Sequence, residues 1–396
     1  MRIGVYIQGY LPNSGGGYTF EQELIHALLS LCEGTHHEYK LYFNSLVADP
    51  TITLPVAKNL SSGCIKLKKG TLVNRLITKI IGVLSSTKPK SVLQKAAEKD
   101  RIQMMWFPTG AYVQVDIPYI ATIWDIQHRI QPWFPEVCQG YKWQAREEYY
   151  ARYIQRATYI VIPNQTSQNE IAFNFQIAPE RFRQMPHPTP LIEHLPSNDE
   201  VLEVRQKYRV LNPYLIYPAQ FWPHKNHVNL LKSLEILQNK YRYNFDLVLV
   251  GADKGNLEYV RSVAENLNLK DTIHFLGFIS REDLIALYCG AFALTFVTYF
   301  GPENIPPLEA FVCRCPVIAS SVAGAAEQLG EAALLVDPSH PEDIALAIAE
   351  LKTNPILREE LISKGELRAK KYTGFDFVGD IFKLFDEFEP VRDNWP

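Results

Sequence analysis

The feature that most constrains this chain is a strand, a loop and a helix that follow one another between residues 291 and 312. Ala291–Thr298 is an apolar run of strand length, and Tyr299–Asn304 is a loop. Leu308–Val312 continues as a helix, with two prolines at its first positions, where the missing N–H costs nothing. A second buried-type strand follows at Cys315–Ser320. This order predicts a βαβ unit, and open α/β sheets bind ligands where strands end and helices begin.

The start of that helix is a candidate nucleotide site. Free N–H groups and the helix dipole favour an anion there. Glu309 lies one turn into the helix, and its two oxygens can accept hydrogen bonds from a vicinal diol such as a ribose. An anion site beside a diol acceptor indicates a nucleotide. The alternative is that Asn304 only caps the helix and Glu309 only occupies its first turn.

The whole chain has the composition of a globular protein with more than one core. Its 396 residues predict two domains, and no apolar run approaches 18 residues. Because the start lacks a secretory pattern, we expect a cytoplasmic protein. The formal net charge of −3 argues against a nucleic-acid partner. The six scattered cysteines, without a CxxC pair, are expected to be buried free thiols.

The first half alternates strands with helices, which indicates a Rossmann-like parallel sheet. The opening strand Arg2–Gln8 leads to Gly15, Gly16 and Gly17 and then to a helix over Phe20–Leu31. Three glycines let the backbone approach a ligand closely, although they do not form GxGxxG and a plain flexible turn is the alternative. Further strands are predicted at Glu38–Asn44, Met104–Phe107, Tyr119–Trp124 and Tyr159–Pro163.

The second half restarts the same pattern with the strand Tyr214–Ala219. The loop Gln220–Asn226 follows, and Asn226 is expected to cap the next helix, so that Lys225 lies just ahead of a helix N-terminus. A fixed ammonium beside backbone N–H groups suits a diphosphate. An exposed lysine in a polar turn is the alternative.

Residues 56–97 carry nine basic residues and no acidic one, with apolar residues at helical spacing between Leu72 and Leu84. A basic amphipathic helix can lie on an anionic membrane face. The alternative is a helix that packs on the sheet with its lysines in solvent.

Taken together, these motifs resemble the GT-B fold and, in the second half, the retaining glycosyltransferases of family 4. The resemblance extends over nearly the whole chain and is most specific between Tyr214 and Pro338. The matching segments are Pro218–Asn226, Leu249–Gly251, His274–Phe278, Ile305–Ala310, Cys315–Ala319, Gly324–Glu327 and Gly330–Pro338, with looser matches at Gly15–Gly17 and Ala121–Asp125.

The resemblance implies two Rossmann-like doubly wound parallel-sheet domains that face each other across a cleft. We expect an acceptor-binding domain over 1–195, a linker over 196–210 and a nucleotide-sugar-binding domain over 211–374. A helical segment over 375–396 is expected to follow, with a return to the N-terminal domain as one option.

The resemblance also implies roles for single residues. Lys225 is expected to bind the donor diphosphate and Glu309 the nucleotide ribose, and both are candidate catalytic residues. Asp125 and His128 are further catalytic candidates, as assistants at the cleft. The expected donor-binding set is Gly16, Gly17, Gln220, Lys225, Gly251, Glu303, Asn304, Ile305 and Glu309.

Three positions depart from the family pattern. Gly301 stands where the first Glu of the paired acids is expected, with Glu303 nearby but out of register. Gln220 replaces an arginine, which leaves the diphosphate clamp with one charge fewer. Trp124 replaces a histidine, with His128 four residues further on.

The expected function is retaining transfer of a hexose-type sugar from a nucleotide-diphosphate donor to a hydroxyl of a glycan or lipid-linked acceptor, in cell-surface polysaccharide biosynthesis. No Asp-x-Asp motif is present, so neither a metal nor another cofactor is expected at the donor. Peripheral contact of 56–97 with the inner face of the cytoplasmic membrane fits a lipid-linked acceptor. A non-catalytic nucleotide-sugar-binding protein and a nucleotide-sugar epimerase of the same fold are the alternatives.

Overall fold

The computed structural model describes residues 1–12, 15–44, 57–65 and 90–396. The strands in these ranges are β1 (Arg2–Ile7), β2 (Glu38–Asn44), β3 (Leu60–Ile65), β4 (Met104–Phe107), β5 (Tyr119–Thr122), β6 (Tyr159–Ile162), β7 (Phe182–Gln184), β8 (Tyr214–Pro218), β9 (Asp246–Val250), β10 (Ile273–Gly277), β11 (Ala293–Phe296), β12 (Val317–Ser320) and β13 (Ala333–Val336).

The α-helices in the same ranges are α1 (Gly16–Leu31), α2 (Val92–Lys99), α3 (Gln127–Ile130), α4 (Pro135–Cys138), α5 (Lys142–Arg156), α6 (Gln165–Phe175), α7 (Asn198–Lys207), α8 (His227–Ile236), α9 (Leu257–Asn266), α10 (Arg281–Gly290), α11 (Ile305–Val312), α12 (Ala325–Leu329), α13 (Pro341–Thr353), α14 (Pro355–Ala369) and α15 (Gly374–Arg392).

The first sheet is a parallel sheet of seven strands in the order β3-β2-β1-β4-β5-β6-β7. Its central strands are buried on both faces, as the unbroken apolar run Met104–Phe107 requires. One face packs on a core that includes Phe20 and Leu24 of α1, and the other on a core that includes Tyr153 and Ile154 of α5. This doubly wound arrangement was predicted from the sequence and is confirmed.

The second sheet repeats the arrangement with six parallel strands in the order β10-β9-β8-β11-β12-β13. In both sheets the strand order reverses beside the first strand, between β1 and β4 and between β8 and β11. Ligands of open α/β sheets bind outside the carboxyl ends of the strands at such a reversal. The loops that follow β1, β8 and β11 therefore define the region to search for a site.

The segment expected as a linker, 196–210, contains a helix. Ser197 and Glu200 form a reciprocal capping box at the start of α7, which stabilises a helix of otherwise polar composition. Lys207 at its end donates to Asp283 of α10 over 2.6 Å. This part of the chain is therefore an ordered element that packs on the second sheet's helices.

The last helix, α15, crosses back from the second half of the chain to the first. Phe377, Ile381 and Phe385 share one core with Ile3 and Leu24 of the first sheet and its first helix. The core of the first half is thus completed by the chain's last helix.

Most of the basic segment 56–97 lies outside the described residues, which include only 57–65 and 90–97 of it. In these two flanks Leu60–Ile65 forms β3, which the sequence did not predict, and α2 begins at Val92. None of the described helices is long and apolar enough to cross a membrane.

The cysteines are all free, but only three of them are buried, at Cys32, Cys313 and Cys315. Cys64 is exposed, so the prediction of burial was wrong there. Within the described ranges β3 is the edge strand of the first sheet, and Cys64 shares its exposure with Ser61 and Ser62 of that strand.

Candidate active site

Loops from both halves of the chain meet at the reversal points of the two sheets. A Cβ atom placed on Gly16 would lie 3.6 Å from Ile305, and one placed on Gly15 would lie 3.8 Å from the Gln220 side chain. Gly16 therefore faces the start of α11 and Gly15 the loop after β8, whereas a Cβ atom on Gly17 would meet the ring of Tyr10 at 3.5 Å. These predicted donor residues lie far apart in the sequence, and the fold brings them together.

Gly251 supports the loop after β8 from beneath. A Cβ atom at this position would overlap the carbonyl group of Ala219 and come within 2.9 Å of Gln220 Cα. Its N–H donates to Gly277 over 2.8 Å. Glycine is required here because two backbone segments pack directly against each other.

Asn226 fixes Lys225 beside the loop after β11, but not as the predicted helix cap. Its side chain makes no capping hydrogen bond, and its backbone is left-handed, with φ 58°. The amide instead donates to the carbonyls of Val297 at 3.0 Å and Pro338 at 2.6 Å. Competition from these two buried acceptors explains why the capping prediction was wrong.

The ammonium of Lys225 lies 5.0 Å from the centroid of the Phe296 ring. In the described part of the chain it has neither a hydrogen bond nor an ion pair. Burial lowers its pKa to about 8, while the charges of Asp125 and Glu136 act in the opposite direction. A partly desolvated cation that lacks an anionic partner among the described residues is suited to binding an anion.

The carboxylate of Glu309 lies one turn into α11. Tyr288 donates to Oε2 over 3.2 Å and is the one hydrogen-bond partner of this carboxylate in the described ranges. Burial raises the pKa of Glu309, and Arg281 opposes this shift. The other oxygen can accept a hydrogen bond from a ligand, as the predicted ribose contact requires.

The start of α11 offers fewer free N–H groups than the sequence suggested. Gln328 forms two hydrogen bonds with the backbone of Asn304, accepting from its N–H at 3.0 Å and donating to its carbonyl at 2.8 Å. The two prolines that follow have no N–H. Ile305 is left as the residue of this turn whose N–H has no partner among the residues described. The Asn304 side chain donates to Gly301 over 2.9 Å and does not cap the helix.

Gly301 and Glu303 are fixed by different constraints. Gly301 has φ 118°, and a Cβ there would lie 2.9 Å from the Asn304 side chain. Glu303 is buried and accepts a hydrogen bond from the backbone N–H of His187 over 2.5 Å. Burial raises the pKa of Glu303 to about 8. The carboxyl group therefore bonds to the first half of the chain, and within the described ranges it makes no hydrogen bond to another predicted donor residue.

The two candidate assistants differ in position. Asp125 is partly exposed, and its Oδ1 accepts from Gln127 N over 2.9 Å, which closes a turn after β5. Its charge acts on Lys225. His128 is fully buried, with Nε2 2.8 Å from Glu147 and its ring stacked on Tyr150. The structure thus places Asp125 near the cation and His128 beneath the surface.

Sequence reasoning missed a contact that holds the two halves together. Glu136 of α4 accepts from the backbone N–H of His224 over 2.9 Å and also contacts its Nδ1. His224 stacks on Phe300 with the ring centroids 3.9 Å apart, and burial lowers its pKa to about 4. Gln131 donates to the carbonyl of Tyr299 over 2.9 Å. Apart from the position of His224 next to Lys225, the sequence carries no signal for these pairs.

Comparison with known proteins shows that the second half of the chain is similar to one family of transferases. Residues 203–368 match the family model of glycosyl transferases group 1. The O-antigen chain mannosyltransferase B of Escherichia coli is 29% identical over 178 residues, 45% of this chain and 47% of that protein. The O-antigen chain mannosyltransferase RfbU of Salmonella typhimurium is 25% identical over 205 residues, 51% of this chain and 53% of its own length. The match therefore spans about half the length of these relatives.

Solved structures match the whole chain. The sucrose-phosphate synthase of Thermosynechococcus elongatus superposes with a TM-score of 0.72 at 16% identity, covering 99% of this chain and 100% of that one. WaaG, a glycosyltransferase involved in lipopolysaccharide biosynthesis, superposes with a TM-score of 0.68 at 18% identity, covering 96% and 98%. The predicted resemblance to family 4 glycosyltransferases is confirmed: the chain has the GT-B fold, and its residues 203–368 match the family model of glycosyl transferases group 1.

Proposed function

We propose that the protein is a retaining, metal-independent glycosyltransferase that moves a hexose-type sugar from a nucleotide-diphosphate donor to a hydroxyl of a glycan or lipid-linked acceptor. The observation that carries the proposal is the ammonium of Lys225, which lies beside the reversal point of the second sheet and has no anionic partner among the residues that the structure describes. Mannosyltransferases of O-antigen synthesis are among the relatives, so mannose is the first sugar to test and a cell-surface polysaccharide the expected product.

Cleavage of the bond between the sugar and the diphosphate builds negative charge on the departing diphosphate. Lys225 supplies a positive charge for it, and the Ile305 N–H and the backbone at Gly16 and Gly17 supply nearby polar groups. Glu309 holds the ribose through its free oxygen. No metal is needed in this scheme, because the protein's own groups stabilise the leaving group.

In a retaining transfer, the acceptor hydroxyl attacks from the face that the diphosphate leaves. A diphosphate oxygen can take the proton of the hydroxyl, so no protein base has to touch it. Asp125 lies near Lys225 and is assigned to orient that ammonium and the acceptor. His128 is assigned to position the Asp125 turn from beneath.

The experiment is a thermal-shift panel of UDP-, GDP-, ADP- and dTDP-sugars on the purified protein and on Lys225→Ala and Glu309→Ala. A ligand at about 100 times its Kd stabilises by about 2.7 kcal/mol, which gives a visible shift. We expect one nucleotide series to shift the wild type and neither variant. Lys254→Ala, at an exposed lysine of a neighbouring loop, is the matched control and should shift like the wild type.

Product analysis then decides between the classes of function. Transfer to an acceptor with retained anomeric configuration supports the proposal, and an inverted product contradicts it. Donor binding without transfer or hydrolysis would indicate a binding protein, for which the departures at Gly301, Gln220 and Trp124 would account. Isomerisation of the donor sugar alone would indicate an epimerase.

A further inference from the structure

Two histidines and two carboxylates form a cluster between the start of β2 and the last helix, and none of the four belongs to the candidate active site. His36 and His37 precede β2, and their rings lie side by side with centroids 4.1 Å apart. Asp386 and Glu389 are three residues apart on α15, so both side chains lie on one face of that helix. The cluster defined by these four residues is called the His-carboxylate cluster below.

The four side chains are close enough to share one ion. His36 Nε2 lies 2.5 Å from Glu389 Oε2, and His37 Nε2 lies 3.1 Å from Asp386 Oδ1. One ligand atom from each residue can be chosen so that all four lie within 4.8 Å of one another. Ligand atoms around a four-coordinate Zn²⁺ are about 3.3 Å apart, given bond lengths of about 2.0–2.2 Å. Closing the cluster to that size requires the ligand atoms to approach one another by at most about 1.5 Å, and the side chains of His36 and Asp386 are exposed enough to move.

The cluster combines one fixed ligand with ligands that can adjust. The side chain of His37 is fully buried and that of Glu389 is one quarter exposed, whereas Asp386 and His36 are more than half exposed. The exposed side gives an ion a path from solvent. The buried side sets where the ion would be held.

The mixture of donor atoms selects the kind of metal. Two imidazole nitrogens with two carboxylate oxygens are typical ligands of Zn²⁺, whereas Mg²⁺ and Ca²⁺ prefer oxygen ligands alone. We propose that His36, His37, Asp386 and Glu389 bind one Zn²⁺ in a four-coordinate structural site that fastens α15 to the first half of the chain. The proposal is independent of the donor site and of the activity proposed above.

The charge balance of the cluster agrees with a divalent ion. The two carboxylates carry two negative charges, and among the described residues the Met1 backbone nitrogen is the cation in contact with them, 2.6 Å from Glu389 Oε1. The same nitrogen lies 2.9 Å from His37 Nδ1. Coordination through His37 Nε2 places the ring proton on Nδ1, so Met1 gives up this contact when the metal binds. Zn²⁺ then neutralises both carboxylates, which one ammonium cannot do.

The test is metal binding to untagged, chelator-treated full-length protein, with ZnCl₂ and MgCl₂ as the probes. Equilibrium dialysis followed by elemental analysis should find one Zn²⁺ per chain at low micromolar free metal and no Mg²⁺. Zn²⁺ should raise Tm by a few degrees and slow amide hydrogen exchange in Gly374–Arg392.

The variants are chosen from the exposed ligands so that folding is preserved. His36→Ala and Asp386→Asn should each weaken Zn²⁺ binding at least tenfold and abolish the Tm response. His194→Ala, at an exposed histidine outside the cluster, should bind Zn²⁺ like the wild type. No stoichiometric Zn²⁺, or equal Zn²⁺ binding by both ligand variants, would overturn the proposal. A loss of Tm in these variants without any response of the wild type to Zn²⁺ would show that the cluster is only an ion-pair network, and would overturn it too.

Discussion

At the scale of single residues, the environment of Lys225 has the clearest chemical consequence. Its pKa of about 8 is lower than the ordinary value of 10.5 because the amine is desolvated in the cleft. In the free protein the cation is therefore present at pH 7 and is progressively lost above pH 8. A negatively charged ligand binds the cation and not the neutral amine.

We expect the affinity for a nucleotide sugar to be constant below pH 8 and to fall about tenfold per pH unit above it. Calorimetric titration of the donor across this range measures the effect. Lys225→Arg is the matched control, because arginine keeps its charge throughout and should give a flat profile over the same range. A wild-type affinity that stays constant up to pH 10 would contradict the assignment of Lys225 to the diphosphate.

The pKa of Glu303 shifts in the opposite direction to that of Lys225. Burial raises it from the ordinary 4.5 to about 8. The folded state keeps a proton that the unfolded chain loses, so the associated stability is complete below pH 4.5 and is lost as the pH rises through 8. Glu303→Gln removes the titration and retains an oxygen for the His187 N–H. Between pH 5 and pH 9 we expect the stability of the variant relative to the wild type to increase by about 4 kcal/mol, since each pK unit of the shift is worth about 1.4 kcal/mol. Urea unfolding at pH 5 and pH 9 measures the effect. The same difference in unfolding free energy between variant and wild type at both pH values would refute the prediction.

At the scale of elements, the loop after β1 is held by a carboxylate of the following helix. Glu21 of α1 is buried and accepts from the backbone N–H groups of Gln8, Gly9 and Tyr10 at 2.8, 2.9 and 3.0 Å. The three hydrogen bonds to the Glu21 carboxylate fix the backbone of Gln8, Gly9 and Tyr10, which precedes Gly15–Gly17. The position of the glycines in the cleft depends on this internal hydrogen-bond network.

Glu21→Gln replaces one acceptor oxygen with an NH₂ group that faces N–H donors. We expect a loss of about 2 kcal/mol of unfolding free energy, together with weaker binding of the nucleotide sugar, because the glycine loop loses its support. Urea unfolding and donor titration measure the two effects. Glu38→Gln, at an exposed carboxylate of the same sheet, should change neither. Donor affinity equal to the wild type would show that the loop is held by other contacts.

The strands and helices also show which parts of the fold could be predicted from the sequence. Buried parallel strands such as Met104–Phe107 read as continuous apolar runs, and turn residues bounded them, so their prediction was confirmed. β3 was missed because Ser61 to Cys64 carry little apolar character on an edge strand. The helix α7 was missed because its composition is polar, although the capping box of Ser197 and Glu200 was a usable signal.

In the candidate site, too, some residues could be predicted from the sequence and others could not. Lys225 and Glu309 could be proposed as donor-binding residues because each lies in or just after a loop that follows a predicted strand. Glu136 and His187 could not, since their contacts with His224 and Glu303 join segments more than 80 residues apart. The use of the Asn304 N–H by Gln328 was also hidden, because this contact joins two different elements that are 24 residues apart. Spacing along the chain predicts elements, whereas contacts between elements depend on the fold.

At the scale of the whole molecule, the last helix makes the first half dependent on the end of the chain. Phe385 of α15 is fully buried in the core that contains Ile3 and Leu24. We expect Phe385→Ala to cost about 3–5 kcal/mol of unfolding free energy because it leaves a cavity in that core. Hydrogen exchange should show the loss in β1, β2 and α1. Val391→Ala, at an exposed position of the same helix, should have little effect, and an equal loss in both variants would contradict this packing argument.

The same crossing of α15 has a consequence for biosynthesis. The ribosome synthesises the chain from its N-terminus, so β1 to β7 leave the exit tunnel long before Gly374–Arg392. The aromatic side chains of Gly374–Arg392 complete the core of the first sheet. The second sheet, with its strands contiguous between Tyr214 and Val336, can close first. The half that is made first is thus finished last, and until then its exposed apolar face is the part of the nascent chain that a chaperone would recognise.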